Sequence, residues 1–363
     1  MPAFKDELDR RLARALADEL RRAWPDFPEP RFTRGIAAAL EPLELLARAD
    51  LLAERLAATL PAAFADGAAV LWRALESPTF TGWMTLPCGA FVAKRGLDEP
   101  GVALPLLAGL TPRWSSEAPI RPFIERHPGL TYEYLRRWCT DGDEHVRRLV
   151  SEGTRPRLPW APRLRDLVAD PSPNIPLLDA LVDDESAYVR RSVANHLNDI
   201  SKDHPDLALD LAEGWAVRGD AGAWVVRHGL RTLVKRGDPR ALGLVGADTH
   251  TPVELVDLRA DRHRIAIGDS VTFTFTLRLP DGSTACDAVI DYRVHYAGAR
   301  ATKAPKVFKL TRRRLEPARP VTITRAHRFE HVSVRRIHPG RHRIDVQVNG
   351  RVLGAVDFDV VTG

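Results

Sequence analysis

A chain of 363 residues with 53 Lys and Arg, 48 Asp and Glu and a formal net charge of +5 is long enough for two globular domains. Its 44% apolar content supports a sizeable core, and no apolar run approaches about 18 residues, which excludes a helical membrane span. The three cysteines, Cys88, Cys139 and Cys286, are odd in number and form no CxxC, so they indicate neither a disulfide framework nor a zinc site and read as reduced thiols in a cytoplasmic protein.

The N-terminal stretch MPAFKDELDRRLARALADELRR alternates charge with Leu and Ala and lacks the apolar centre of a secretory signal. Leu8, Leu12, Leu16 and Leu20 recur at helical spacing, and Leu, Ala and Val keep returning at three and four as far as residue 245. All eight Trp residues fall before residue 225. The pattern predicts a long stack of amphipathic helices.

That stack contains a repeat. Glu144-His-Val-Arg-Arg148 returns 43 residues later as Ala187-Tyr-Val-Arg-Arg191, and Ala223-Trp-Val-Val-Arg227 follows after another 36. Each copy is preceded by a turn rich in Asp or Gly. Periods near 40 with paired helices are those of HEAT-like repeats, which stack into a curved solenoid with a concave binding face. Arg148, Arg191 and Arg227 share one column, either as a ladder along one face or as partners for Asp residues in the neighbouring turns. Glu152, Asn195 and Arg231 share another, all polar, which predicts a column facing the groove.

The segment from Glu144 to Trp160 predicts an amphipathic helix ending at Gly153 and a basic loop closing on Trp160. Glu152 falls in the last turn, where the helix macrodipole opposes its charge, among Arg147, Arg148, Arg155 and Arg157. A carboxylate among guanidiniums suits a site that grips a polyanion and does chemistry on a cation within it, as DNA with a charged, damaged base would require.

Near residue 250 the period changes. Val271-Thr-Phe273-Thr-Phe275-Thr-Leu277-Arg-Leu279 alternates strictly, as does Ile344-Asp-Val346-Gln-Val348 before an Asn349-Gly350 turn. Such runs, separated by Gly-containing turns, predict a small β-sandwich. We therefore expect a multidomain chain, α then β, with domains 1–248 and 249–363. Residues 251–363 hold 20 Lys and Arg against 12 Asp and Glu, whereas 1–250 hold 33 against 36. Basicity concentrated in this way favours a polyanionic partner. Lys303, Lys306, Lys309, Arg312, Arg313 and Arg314 are the candidates for a phosphate clamp. His327, His331, His338 and His342 show no metal-ligand spacing and read as ordinary strand or surface residues.

Three segments, Trp114-Ser-Ser-Glu117-Ala-Pro-Ile-Arg-Pro-Phe123, the Glu144–Trp160 segment and Val189-Arg-Arg-Ser-Val-Ala-Asn195-His-Leu-Asn198-Asp199, resemble the AlkC branch of the AlkC/AlkD DNA glycosylases. The resemblance covers most of 1–245, and some AlkC-like proteins carry a C-terminal immunoglobulin-like domain. It implies a HEAT-like solenoid followed by an immunoglobulin-like β-sandwich acting as a DNA-binding accessory. It implies a monomeric bacterial base-excision-repair enzyme that removes 3-methyladenine and 3-methylcytosine from double-stranded DNA, needs no cofactor or metal, and engages the lesion without a deep base-flipping pocket. By motif position, Glu117, Glu152 and Asp199 are its expected catalytic carboxylates, with Glu152 the principal one. Trp160 and Trp114 are the expected lesion contacts. Arg148, Arg155, Arg157 and Arg191, with the basic residues of the β half, are the expected DNA contacts.

These groups suit the reaction. Alkylation at N3 makes the base a cation that departs neutral, so charge builds on the sugar, as in glycoside hydrolysis. Carboxylates near C1′ stabilise that charge or orient the attacking water. An indole face adds roughly 0.5–2 kcal/mol for a cation. The alternative reading is a non-catalytic HEAT-repeat scaffold for DNA or protein, which has no need for Glu117, Glu152 and Asp199 to converge. A glycosidase reading is weak, because no paired acids lie on a recognisable barrel.

Overall fold

The computed structural model of the protein describes residues 4–298, 304–332 and 335–362. The chain divides into two compact units, Met1–Asp203 with Gly219–Val225, and His204–Arg218 with Val226–Gly363. No helix of the described residues is long and apolar enough to cross a membrane.

The first unit is helical. The helix Arg10–Ala23 starts where Asp9 accepts the Leu12 N–H at 2.9 Å, and it buries Ala13, Leu16, Ala17 and Leu20 on one face. It packs on Phe64–Ala74, which packs on Pro100–Leu110, which packs on Pro128–Trp138. Alongside, Leu45–Thr59 packs on Thr85–Arg95 and Glu144–Gly153 on Ala187–Asp203. This is the paired-helix stacking that the repeat predicts. The Asp residues of the turns serve it in two ways. Asp143 caps the 144–153 helix by accepting the His145 N–H at 2.7 Å. Asp184, in the turn before the next copy, takes Arg147 through two bonds of 2.7 and 3.0 Å. The bond between repeat and turn thus belongs to the column of Arg147, one residue before the column of Arg148. Arg191 and Arg227 are exposed.

The second unit joins the helices Pro205–Ala216, Arg231–Arg236 and Pro239–Leu244 to eight strands: β1 (Glu254–Ala260), β2 (Arg264–Ala266), β3 (Ser270–Arg278), β4 (Cys286–His295), β5 (Lys306–Leu315), β6 (Val321–Arg328), β7 (Gly340–Val348) and β8 (Arg351–Val361). They form two sheets, β1-β3-β6 and β2-β8-β7-β4-β5. On β3 the alternation turns Val271, Phe273, Phe275 and Leu277 into the core. It leaves Thr274 and Thr276 outside, each 2.9 Å from a threonine hydroxyl of β6. Asn349 and Gly350, at φ 45° and 78°, make the tight turn between β7 and β8. That turn also meets the preceding helices: the Gly237 and Gly350 backbones are so close that a Cβ on Gly237 would lie 2.8 Å from the Gly350 Cα. Gln347 donates to the Lys235 carbonyl at 3.2 Å. Lys303 lies outside the described residues.

Candidate active site

Three segments of the helical unit build one site: the turn from Trp114 to Glu117, the helix Glu144–Gly153 with the loop that follows it, and the helix Ala187–Asp203. Arg148 and Glu152 lie one turn apart on the second, and Ser192 and Asp199 face them from the third. The charged groups form an alternating chain. Glu117 Oε2 accepts from Arg148 Nη1 at 2.7 Å, and Arg148 Nη2 lies 3.6 Å from Glu152 Oε1. Arg155 Nη1 is 2.7 Å from the same Glu152 oxygen, and its Nε is 2.8 Å from Asp199 Oδ2. Lys202 completes the chain at 2.9 Å from Asp199 Oδ1. Three carboxylates meet three cations, so the cluster is close to neutral. Burial works against charge on Arg148 and Arg155, but the neighbouring carboxylates outweigh it and hold both guanidinium pKa values above the ordinary range.

The expected catalytic acids therefore converge, but they differ in access. The Glu117 side chain keeps 28% of its surface, Glu152 7% and Asp199 1%. Both oxygens of Asp199 are taken by Arg155 and Lys202. Glu152 gives Oε1 to the arginines and Oε2 to the Ser192 hydroxyl at 2.6 Å. The expectation that Glu152 faces the open groove is corrected here: Arg148 and Arg155 cover Glu152 and offset the helix dipole that opposes it. Asn195 and Arg231 of the same column are half-buried. Glu117 receives Arg148 and the Ser115 hydroxyl, each at 2.7 Å, on Oε2 alone. Its Oε1 has no partner among the described residues.

A polar chain underlies the site and fixes a histidine tautomer. The Tyr132 hydroxyl donates to Asn174 Oδ1 at 2.6 Å, so Asn174 Nδ2 is free to donate to the Thr154 carbonyl and to His196 Nε2. His196 must then carry its proton on Nδ1, which donates to the Ser151 carbonyl at 2.9 Å. Burial lowers the His196 pKa to about 4, so the ring is neutral.

Arg121 holds the loop that follows. Its buried guanidinium donates to the carbonyls of Gly153, Arg155 and Pro162 at 2.6–3.1 Å. Burial lowers its pKa to about 10. The loop sends Arg155 inward and Trp160 outward. Trp160 sits at φ 63°, a conformation costing a bulky residue of order 1–3 kcal/mol, yet 71% of its surface is exposed. Trp160, Trp83, Trp114 and Tyr188 line a cleft of about 340 Å³ with Glu117 and Arg148 in its wall. Trp114 packs on Trp83 at 4.6 Å between ring centroids, and the Arg148 guanidinium lies 4.7 Å over the Tyr188 ring.

The expected DNA contacts divide. Arg155 is buried between Glu152 and Asp199, so its donors are spent on carboxylates and not offered to phosphate. Arg157 is bidentate to Asp203 at 2.6 and 2.7 Å at the surface. Arg191 is exposed, has no counter-ion among the described residues and remains open to an anion. On β5, Arg312 donates to the Val245 carbonyl at 3.1 Å and Arg314 pairs with Asp287 at 3.2 Å. Lys306 lies 5.4 Å over the Phe308 ring, and Lys309 and Arg313 are exposed. Sequence reasoning missed Ser115, Arg121, Trp83, Tyr188, Ser192 and Lys202. Tyr188 had a signal as the aromatic in the second repeat copy, and Ser115, Arg121 and Ser192 lay inside the segments that carry the resemblance without being singled out. Among the described residues no group of three or more His, Cys, Asp or Glu could hold a metal.

A structure of Pseudomonas fluorescens alkylpurine DNA glycosylase AlkC, bound to DNA containing an abasic site analog, matches this chain with a TM-score of 0.94 at 35% identity, over 99% of this chain and 100% of that one. Uncharacterized protein YhaZ of Bacillus subtilis is 34% identical over 361 residues, 99% of this chain and 100% of YhaZ. The chain belongs to the family of AlkC and YhaZ. A family model described as the C-terminal Ig-like domain of YhaZ matches residues 254–362, a range that contains the strands β1 to β8. The AlkC match spans both halves, so a helical part followed by an Ig-like sandwich is the architecture of the family as well as of this chain.

Proposed function

We propose that this protein is a monofunctional DNA glycosylase that releases cationic alkylated bases, 3-methyladenine and 3-methylcytosine among them, from double-stranded DNA in bacterial base excision repair. The observation that carries the reading is the convergence of Glu117, Glu152 and Asp199 through shared arginines at an aromatic cleft. The full-length match to AlkC, an alkylpurine DNA glycosylase bound to DNA, supports it. A scaffold would gain nothing from assembling three acids in this way.

On this geometry we assign the division of labour differently from the sequence reading, which made Glu152 the principal acid. Glu117 has a free oxygen on the cleft, so it is the carboxylate that meets the sugar as positive charge develops at C1′, or holds the attacking water. Glu152 lies beneath it and steers Arg148, and Asp199 acts one step further through Arg155. The near-neutral chain lets acids approach phosphates without net repulsion. Trp160 and Trp114 offer indole faces to the cation. The base leaves as a neutral molecule, so the step asks for no metal or organic cofactor. The protein acts as a monomer in the cytoplasm.

Purified protein incubated with methylated DNA should release these bases. Glu117→Gln should retain DNA binding and lower release by about 100-fold or more. Wild-type release by that variant would overturn the assignment of Glu117, and no release by the unaltered protein would overturn the function.

A further inference from the structure

We propose that Ser115 is a positioning residue that presents Glu117 Oε1 to the reacting sugar, an inference that rests on the glycosylase reading above. Glu117 stands in a turn, where no helix fixes its side chain. Arg148 alone reaches one oxygen through one nitrogen, at 2.7 Å, and a single such contact leaves the carboxylate plane free to rotate. Ser115 removes that freedom. Its hydroxyl donates to the same oxygen at 2.7 Å and accepts the Glu117 backbone N–H at 3.3 Å. Two donors arriving from different elements on Oε2 fix the plane and leave Oε1 without a partner among the described residues, on a residue that lines the cleft. The adjacent serine serves the fold instead. Ser116 is buried and donates to the Leu107 carbonyl at 2.7 Å, tying the turn to the helix Pro100–Leu110. Neighbouring serines thus divide the work, Ser116 anchoring the turn and Ser115 aiming the acid. Ser115 touches no reacting atom in this role. It acts through Glu117 and belongs to the energetics of the charged hydrogen bond.

The test is single-turnover release of 3-methyladenine at saturating protein, with affinity for abasic-site DNA measured in parallel. Ser115→Ala should slow release by roughly ten- to a hundredfold, the range for a hydrogen bond to a charged group, with affinity unchanged. Ser115→Thr keeps the hydroxyl and should restore the rate. In the Glu117→Gln background, Ser115→Ala should add almost nothing. A wild-type rate for Ser115→Ala, or a loss that threonine does not restore, overturns the inference. Thr59→Ala, which removes a buried hydroxyl that donates to the Arg55 carbonyl at 2.6 Å outside the site, is the folding control, expected to lower thermal stability while leaving the rate of the folded protein intact. If Glu117→Gln itself releases base at the wild-type rate, the reading of Glu117 fails first. If Glu117→Gln is slow and Ser115→Ala is not, only the role of Ser115 fails.

Discussion

Two basic regions of this molecule treat their arginines in opposite ways. In the helical unit Arg147, Arg148, Arg155 and Arg157 each end on a carboxylate, and Arg155 is almost wholly buried. On β5, at the edge of its sheet, Lys309 and Arg313 are exposed, Arg314 makes a direct ion pair with Asp287, and Asp291 opposite Lys309 acts on Lys309 and Arg312 only at a distance. Desolvation accounts for the buried members. A guanidinium taken from water without acceptors costs several kcal/mol, so Arg147 and Arg155 meet carboxylates and Arg121 meets backbone carbonyls. The surface pair of Arg157 with Asp203 is not forced by burial, and an exposed cation keeps its water until a polyanion displaces it. Basic residues near one another in sequence are therefore not one population. Those at the site organise acids, and those on the strand, exposed to solvent, remain the proposed phosphate contacts.

The sharpest way to test the contrast is to break the buried side. Arg155→Met leaves Glu152 and Asp199 facing each other without their shared cation. Removing one partner of a buried ion pair typically costs about 3–5 kcal/mol. The urea midpoint should fall accordingly, and base release should fall with it because Arg148 then answers to an unbalanced Glu152. Near-wild-type stability would mean that Arg155 is dispensable to the fold and that its pairing says little about the site.

Each unit also buries a neutral histidine, and these sharpen the comparison through pH. His196 is bonded to Asn174 and the Ser151 carbonyl, and His327 lies between the hydroxyls of Tyr292 and Tyr296 at 3.0 and 2.9 Å. Burial lowers both pKa values to about 4 from the ordinary 6.5. For a depressed group the stabilisation is complete above the unfolded value and is lost as pH falls through the folded one. Stability should therefore decline between about pH 6.5 and pH 4, by on the order of 3 kcal/mol for His196. His196→Asn removes the titrating ring, so the variant should show a flatter dependence over that range whatever its absolute stability. An unchanged slope would assign the acid sensitivity elsewhere.

Much of the architecture was legible because it rests on local periodicity. The Val-Arg-Arg repeat marks helices 144–153 and 187–203, and the Thr alternation marks β3, since burial on one face imposes those periods directly. The acids of the site were legible from the motifs around Glu117, Glu152 and Asp199, which packing then joins. What the sequence hid was direction. Nothing in Arg155-Pro-Arg157 says that the first side chain turns inward to Asp199, 44 residues away, while the second stays at the surface on Asp203. Arg121 was silent for the same reason, since its acceptors are backbone carbonyls 32 to 41 residues downstream. Trp83 gains meaning only from Trp114, 31 residues on, and Ser115 only from the carboxylate of Glu117, two residues on, once Arg148 has fixed its place.

The smallest expected effect concerns the exposed side. Lys309→Ala with Arg313→Ala should weaken binding of undamaged duplex DNA only severalfold at low salt, because two contacts are a minor part of a DNA footprint. The telling quantity is the salt dependence. Each phosphate contact contributes roughly 0.9 to the slope of log K against log salt, so losing two should flatten it by about 2. Arg314→Ala should flatten it less, since Asp287 already holds that guanidinium. If the double variant keeps the full slope, the charges on β5 have another purpose that the topology supplies. An edge strand offers unpaired backbone to any passing strand, and Lys and Arg along it discourage that pairing. Under that outcome the double variant would bind DNA normally and aggregate more readily, a difference that light scattering alongside the salt series would register.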